Sequence, residues 1–122
     1  MKISKKGIEL ITSFEGFSNR ACKCVPTEKY YTIGYGHYGK DVAKDATITK
    51  KDAVALLKKD LSSFEKKVDK YNHIYHFSQN EFDALVSFCY NVGNIDKLTV
   101  NGRRTKSEIA DAMLRYTHSG GK

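Results

Sequence analysis

Residues 31–37 read Tyr31-Thr32-Ile33-Gly34-Tyr35-Gly36-His37, and this stretch decides how the surrounding chain is interpreted. It opens with aromatic and β-branched residues, which favour a strand, and two glycines then interrupt the pattern. The same mixture of aromatic, β-branched and glycine residues extends over residues 17–48. We therefore predict a small, irregular antiparallel sheet there, with Tyr30–Ile33 as its clearest strand and a hairpin turn at Pro26–Lys29.

Helical patterns lie on both sides of this β-rich region, over residues 1–16 and 49–122. Upstream, Ser4 is suited to cap a helix whose apolar residues recur at helical spacing until Gly16. Glu15 is thus predicted to be the last residue of that helix. Downstream, Thr49 is the predicted N-cap of a long amphipathic helix that reaches about Asp69.

Two further helices are predicted beyond residue 70. Residues 78–81, Ser-Gln-Asn-Glu, form a capping box before an apolar run that stops at residues 91–93. A final helix is predicted from about Ser107 to a Gly120-Gly121 ending. The sequence therefore predicts a single α+β domain over residues 1–122, with a small antiparallel β lobe and a mainly helical lobe joined by the long helix.

The composition fits one globular domain and narrows the classes of partner. The chain has 122 residues, of which 40% are hydrophobic and 29% charged, and its net charge is +7. The positive electrostatic field of such a chain favours the binding of polyanions, including nucleic acid, anionic lipid and bacterial wall polymers. Because no helix-turn-helix, zinc or aromatic RNA-reading motif is present, we expect no nucleic-acid partner.

The N-terminus and the cysteines bear on localisation and cofactors. Residues 1–7 are basic, but the apolar segment of a signal peptide does not follow, and no stretch approaches the length of a membrane span. We expect synthesis in the cytoplasm, no membrane insertion, and a separate release route to any target outside. Cys22 and Cys24 are too close in sequence for an unstrained bridge, so free thiols are predicted. Neither these cysteines nor His73 and His76 have zinc-site spacing, so we expect no metal and no cofactor.

Glu15 is the residue whose setting points most directly to chemistry. It lies between Phe14 and Phe17 at the predicted helix end, and an apolar setting raises a carboxyl pKa until the group serves as a general acid near neutral pH. A helix-terminal glutamate exposed to water is the alternative interpretation. The residues around it alone leave both open.

At this point the chain resembles the phage lysozyme family, glycoside hydrolase family 24. Residues 10–17 are similar to the family's opening helix with its catalytic acid, and residues 32–37 resemble its distinctive strand. Similar segments follow in order at residues 39–42, 48–49 and 84–93, so the resemblance covers nearly the whole chain. It implies a lysozyme-like fold and a muramidase, a glycoside hydrolase that cuts the β-1,4 bond between N-acetylmuramic acid and N-acetylglucosamine in bacterial peptidoglycan. Glu15 would be its general acid.

The resemblance also assigns residues to the side of the sugar where water attacks. After eight intervening residues Glu15 is followed by Cys24, which matches a cysteine variant of the family pattern, and Thr32 follows after seven more rather than the usual five. Cys24 and Thr32 would hold the water. An ordinary thiol is mostly protonated at neutral pH, so Cys24 either has a lowered pKa or only positions water. Glu28 is a candidate substitute carboxylate.

Further residues are assigned to the substrate by the same resemblance. They are Tyr35, His37, Asn91 and Gly93. For His37 the resemblance favours a structural role, in which its hydrogen bonds orient the strand and the acid. Asn91 and Gly93 have an alternative role in ending their helix.

The chain departs from the family pattern in two respects that leave other functions open. Because Cys24 is not a carboxylate, a transglycosylase-like reaction, in which a substrate hydroxyl attacks, remains an alternative. So does a lysozyme-like protein that binds glycan without cutting it. Family members commonly continue beyond a segment such as Gly120-Gly121-Lys122, so the resemblance leads us to expect a shortened C-terminal part. We expect either a lobe that closes without it or a homodimer, fused partner or other chain that covers the exposed apolar surface.

Overall fold

The computed structural model describes residues 1–23 and 25–118, with the backbone alone for residues 116–118. Two predictions therefore lie outside the described residues, namely the role of Cys24 and the Gly120-Gly121 helix ending. Residues 2–63 form one compact unit, and Met1 with the chain from Phe64 onward forms another. In the described part of the chain, no helix is both long and apolar enough to cross a membrane.

The order of elements confirms the predicted α+β class, with a small antiparallel sheet followed by a long helix and a helical remainder. The elements are α1 (Lys5–Glu15), β1 (Ser18–Cys22), β2 (Tyr31–Gly34), β3 (His37–Gly39), α2 (Lys50–Asp69), α3 (Asn72–Tyr75), α4 (Gln79–Val92), α5 (Asp96–Thr99) and α6 (Lys106–His118).

Helix α1 begins and ends where the sequence predicts. The Ser4 hydroxyl accepts a hydrogen bond from the Gly7 amide at 3.2 Å, which satisfies one of the free N–H groups of the first turn. Ile8 and Ile11 are buried on one face. The helix stops at Gly16, whose φ of 68° and ψ of 157° suit glycine alone. Glu15 is therefore its last residue.

The sheet has the order β1-β2-β3, and all its pairs are antiparallel. Ser18 pairs with Gly34 and Cys22 with Thr32, so five residues of β1 oppose three of β2 and the strand bulges. The other edge of β1 is covered by residues 46–48, through bonds of 2.9 Å from the Ala21 amide to the Ala46 carbonyl and from the Ile48 amide to the Asn19 carbonyl. This irregular sheet confirms the predicted one.

The first half of α2 packs against the hairpin formed by β2 and β3. The Thr49 hydroxyl caps α2 by accepting from the Asp52 amide at 3.1 Å, as predicted. Four residues after Thr49, the buried Ala53 lies against Gly34: a Cβ built on that glycine would lie 3.3 Å from the Ala53 Cβ. Gly34 has a φ of 69°, so both its backbone and its neighbour require a glycine.

A second contact fixes the hairpin to the same helix. His37 Nδ1 donates to Asp60 Oδ2 at 2.7 Å, and His37 Nε2 donates to Asp41 Oδ2 at 2.9 Å. Ionised carboxylates only accept, so both contacts are hydrogen bonds together only when both ring nitrogens carry protons, that is, when the ring is an imidazolium. Burial by itself lowers the pKa of His37, but the hydrogen bonds and charges of Asp60 and Asp41 outweigh it and the pKa is raised. The bond to His37 lowers the pKa of Asp41.

In the second unit, two capping boxes start the longest helices. At α4 the Ser78 hydroxyl accepts from the Glu81 amide at 3.2 Å while Glu81 Oε1 accepts from the Ser78 amide at 2.8 Å, as predicted. At α6 the Thr105 hydroxyl accepts from the Glu108 amide at 3.1 Å, and Glu108 Oε1 accepts from the Thr105 amide at 2.8 Å. Helix α6 thus begins at Lys106, one residue before the predicted start, because Thr105 is its cap.

The single-turn helices α3 and α5 were not predicted, and side-chain hydrogen bonds hold them. The Tyr75 hydroxyl donates to the Arg104 carbonyl at 2.6 Å, and Asp96 accepts from the Tyr71 hydroxyl and from Lys70 Nζ, the latter at 3.0 Å. The buried core around them includes Phe82, Leu85, Val86, Cys89, Ile95 and Leu98. Burial raises the pKa of the Cys89 thiol to about 11, so this free thiol stays protonated.

We predict that Gly34→Ala lowers the free energy of unfolding by about 1–3 kcal/mol, because it adds backbone strain and a close contact with Ala53. Urea unfolding of a double-mutant cycle with Ala53→Gly measures the contact. The coupling should be favourable by at least ~0.5 kcal/mol. Gly16→Ala is the control, since it has a similar φ of 68° but no atom within 4 Å of the added Cβ. Additive effects at Gly34 and Ala53 would contradict the prediction.

We predict a pH-dependent contribution of His37 to stability. Because its pKa is raised, the stabilisation is complete below its ordinary value of 6.5 and is lost as pH rises through the folded-state pKa. Asp41 has a lowered pKa, so its share is complete above the ordinary value of 3.8 and is lost on stronger acidification. Between pH 3.8 and pH 6.5 the melting temperature of His37→Gln should therefore lie several degrees below that of the wild type. This difference should narrow as the pH rises further.

Exposed His73 on α3 offers the matched control for this substitution. His73→Gln should change the melting temperature only slightly, because the side chain is exposed. Calorimetric scans from pH 4 to 9 provide the measurement, and a constant gap for His37→Gln would rule out the imidazolium interpretation.

Candidate active site

Glu15 lies at the C-terminal end of α1, half-buried, and desolvation raises the pKa of its carboxyl. The chain turns away immediately after it, and a Cβ added to Gly16 would meet no atom within 4 Å. Half-burial thus removes the Glu15 carboxyl partly from water. This setting suits a general acid better than the alternative of a fully exposed glutamate at a helix end.

The two aromatic residues that flank Glu15 in sequence are placed differently. Phe17 is half-buried and packs on Tyr35, with ring centroids 5.3 Å apart and planes inclined by 46°. The pairing of Ser18 with Gly34 brings these two rings together, since each directly adjoins one of the paired residues. Phe14, in contrast, is 73% exposed. The predicted enclosure of Glu15 by two aromatic rings is thus wrong for Phe14, whose side chain leaves the apolar face of α1.

Thr32 occupies the middle of β2 and is half-buried. It lies opposite Cys22 on one neighbouring strand and opposite Tyr38 on the other. Cys24 follows Cys22 by two positions but lies outside the described residues. Glu28, the candidate substitute carboxylate, sits in the turn between β1 and β2, where its Oε1 accepts from the Val25 amide at 3.4 Å.

Tyr35 and His37 belong to the same compact unit as Glu15 and Thr32. Tyr35 reaches the end of α1 through its contact with Phe17. His37 is only 16% exposed in its side chain, and both nitrogens face carboxylates, which is the arrangement a structural role requires. Asp60 gave no sequence signal as its partner, because it lies 23 residues away on α2.

Asn91 and Gly93 lie in the other unit, at the end of α4. Asn91 Nδ2 donates to the Ser87 carbonyl at 3.2 Å, within its own helix. The Gly93 amide donates to the Cys89 carbonyl at 2.7 Å, and the Gly93 carbonyl accepts from Lys67 Nζ at 2.7 Å. Both residues take part in ending α4, which is the alternative role that the sequence suggests for them. Their contribution to substrate binding stays a prediction.

Comparison with known proteins gives consistent matches. The family model described as phage lysozyme matches residues 12–122. The chain is 55% identical over 127 aligned residues to an endolysin of Bacillus phage PZA, and 46% identical over 127 to an endolysin of Bacillus phage B103. Each alignment covers 100% of this chain but 49% and 48% of the relative. The chain therefore spans about half the length of these curated relatives.

Solved structures agree with the sequence matches. The muramidase domain of SpmX from Asticaccaulis excentricus superimposes with a TM-score of 0.78 at 40% identity, covering 95% of this chain and 80% of that one. These similarities establish the lysozyme-like fold predicted from the sequence. Together with the family match over residues 12–122, they show that this chain belongs to the phage lysozyme family.

Proposed function

We propose that this chain is a peptidoglycan muramidase that hydrolyses the β-1,4 bond between N-acetylmuramic acid and N-acetylglucosamine, with Glu15 as its general acid. The observation that carries the proposal is the setting of Glu15 in a member of the phage lysozyme family: a half-buried carboxyl with a raised pKa, on the last residue of α1. A raised pKa keeps more of the acid protonated near neutral pH. That is the form that can donate a proton to the leaving oxygen.

The second half of the reaction needs a water molecule on the opposite face of the sugar. We assign its positioning to Thr32 and Cys24. The water attacks the anomeric carbon as the glycosidic bond breaks and the leaving oxygen takes a proton from Glu15. The attacking water gives its own proton to Cys24, acting as a thiolate, or to solvent water, from which Glu15 is protonated again. The place of Thr32 in the middle of β2, opposite Cys22, supports its share of this assignment. Glu28 is a weaker candidate, because its carboxylate already accepts a hydrogen bond inside its own turn.

The substrate side of the proposal includes Tyr35 directly and His37 as a positioning residue. Tyr35 packs on Phe17, two residues beyond Glu15, which supports a place beside the bound sugar. His37 holds the hairpin that carries Thr32 and Tyr35 against α2. Asn91 and Gly93 are proposed to contact the glycan from the end of α4.

The cell wall is the proposed place of action, and bacterial peptidoglycan the proposed partner. Synthesis in the cytoplasm and a separate release route belong to the same proposal, in keeping with relatives named endolysin.

A homodimer or a covering chain over the helical lobe stays a prediction. Light scattering of the purified protein tests self-association, and a monomer at all concentrations would contradict it.

We predict that Glu15→Gln lowers the rate of glycan cleavage by roughly 10²- to 10⁴-fold, since it removes a general acid but keeps the side chain's shape. Glu9→Gln, an exposed change on the same helix, is the matched control and should retain wild-type activity. Mass spectrometry of the soluble products identifies the reaction: reducing muramic ends indicate hydrolysis, and anhydro ends a transglycosylase. Binding to peptidoglycan without release of products would favour the non-catalytic alternative.

The pH dependence gives a second test of the role of Glu15. The acid must be protonated to act, and its pKa lies above the ordinary value of 4.5. Activity of the wild type should therefore fall as pH rises through this raised pKa. The residual activity of Glu15→Gln should show no such decline. The same alkaline decline in both proteins would assign it to another group.

A further inference from the structure

A lysine ammonium lies over the aromatic pair beside Glu15. Lys50 Nζ is 5.8 Å from the centroid of the Phe17 ring, and Phe17 packs on Tyr35. This is within the range of a cation–π attraction. The arrangement joins the segment after α1, the turn after β2 and the first residue of α2, all in the compact unit of residues 2–63.

Lys50 differs from the two lysines that lie over rings in the other unit. Lys67 Nζ, over Phe64, donates to the Gly93 carbonyl, and Lys70 Nζ, over Tyr71, donates to Asp96. The Lys50 side chain is exposed, and its ammonium makes no hydrogen bond or ion pair to any described residue. Asp52 shares its helical turn, but side chains two positions apart on a helix diverge. The Lys50 charge is therefore held beside the candidate active site without a protein counterion in the described chain.

We infer that Lys50 and the Phe17–Tyr35 pair bind a carboxylate of the peptide that substitutes the muramic acid residue near the cleaved bond. The inference rests on the proposed muramidase function and names the part of the substrate recognised. The N-acetylated sugars of the glycan carry no net charge, whereas the peptide on the lactyl group of muramic acid has free carboxylates. Lys50 lies over the ring of Phe17, which is two residues after Glu15 in the chain. The ammonium can bind the carboxylate, while the aromatic rings can contact the apolar parts of the sugar and the peptide.

A phosphate of a wall polymer is the competing anion, because lysine binds phosphate as well as carboxylate. The charge here is a single lysine ammonium rather than the planar fork of arginine. Lysine is a point charge with a flexible stem, and the rings restrict where that charge lies. The helix N-terminus at Lys50 adds a small positive potential of the same sign.

The test measures binding rather than cleavage, so that it is independent of turnover. The probes are two glycan oligosaccharides of equal length, one with its peptides and one from which an amidase has removed them, both free of phosphate polymers. Calorimetry compares Glu15→Gln with the double variant that also carries Lys50→Met. Methionine keeps an apolar stem over Phe17 but removes the charge.

We expect Lys50→Met to weaken binding of the peptide-bearing probe by roughly two- to fivefold, as for an exposed ion pair, and to leave the peptide-free probe unaffected. Lys50→Arg should restore affinity, and 1 M salt should abolish the difference. Lys51→Met, an exposed change next to it, is the matched control and should behave like the parent. Melting temperatures show whether each variant folds.

Three results would overturn the inference. If the Lys50→Met variant and its parent bind the peptide-bearing probe with equal affinity, Lys50 does not bind the peptide carboxylate. A loss of affinity for both probes assigns Lys50 to packing or to sugar contact. A loss seen only with a third probe, a wall fragment that retains its phosphate polymers, assigns Lys50 to phosphate. Failure of the proposed function has a different signature, since the wild type would then release no reducing ends while the binding comparison still reports on Lys50.

Discussion

The attachment of the β2–β3 hairpin to α2 is the constraint on which the candidate site depends. Gly34 lies against Ala53, and His37 is bonded to Asp60, so the hairpin is fixed at two points seven residues apart on one helix. At 1.5 Å of rise per residue these points are about 10 Å apart, which prevents the hairpin from pivoting about either. Thr32 and Tyr35 lie on this hairpin. The Phe17–Tyr35 contact then extends the same constraint to the end of α1, where Glu15 lies.

The two contacts differ in physical character. Packing of Gly34 on Ala53 is short-ranged and insensitive to pH, and it depends on the absence of a side chain. The His37 contact is electrostatic and depends on protonation, with Asp41 closing the other side of the ring. A hairpin fixed by packing at one point and by charge at the other retains one of the two when conditions weaken the other.

Elements with local signals could be predicted from the sequence, and those that depend on distant contacts could not. Ser4, Thr49 and Ser78 cap helices because each hydroxyl bonds to an amide three residues on, a relation visible in the sequence. The same relation joins Thr105 and Glu108 in the sequence and sets the start of α6 at Lys106. Helices α3 and α5 are single turns, too short for periodicity to detect, and hydrogen bonds to residues far along the chain hold them. In the candidate site, the place of Glu15 at a helix end was predictable, but its partial burial, the exposure of Phe14 and the Asp60 partner of His37 arise only from packing.

The burial that raises the pKa of Glu15 also has a thermodynamic consequence for the whole domain. A carboxyl that is harder to ionise in the folded chain than in the unfolded chain makes folding less favourable once the pH exceeds its pKa. At that position the requirements of the proposed acid catalyst and of a stable fold oppose each other. In the proposed role, selection for activity would preserve a residue that selection for thermostability alone would replace with a neutral one.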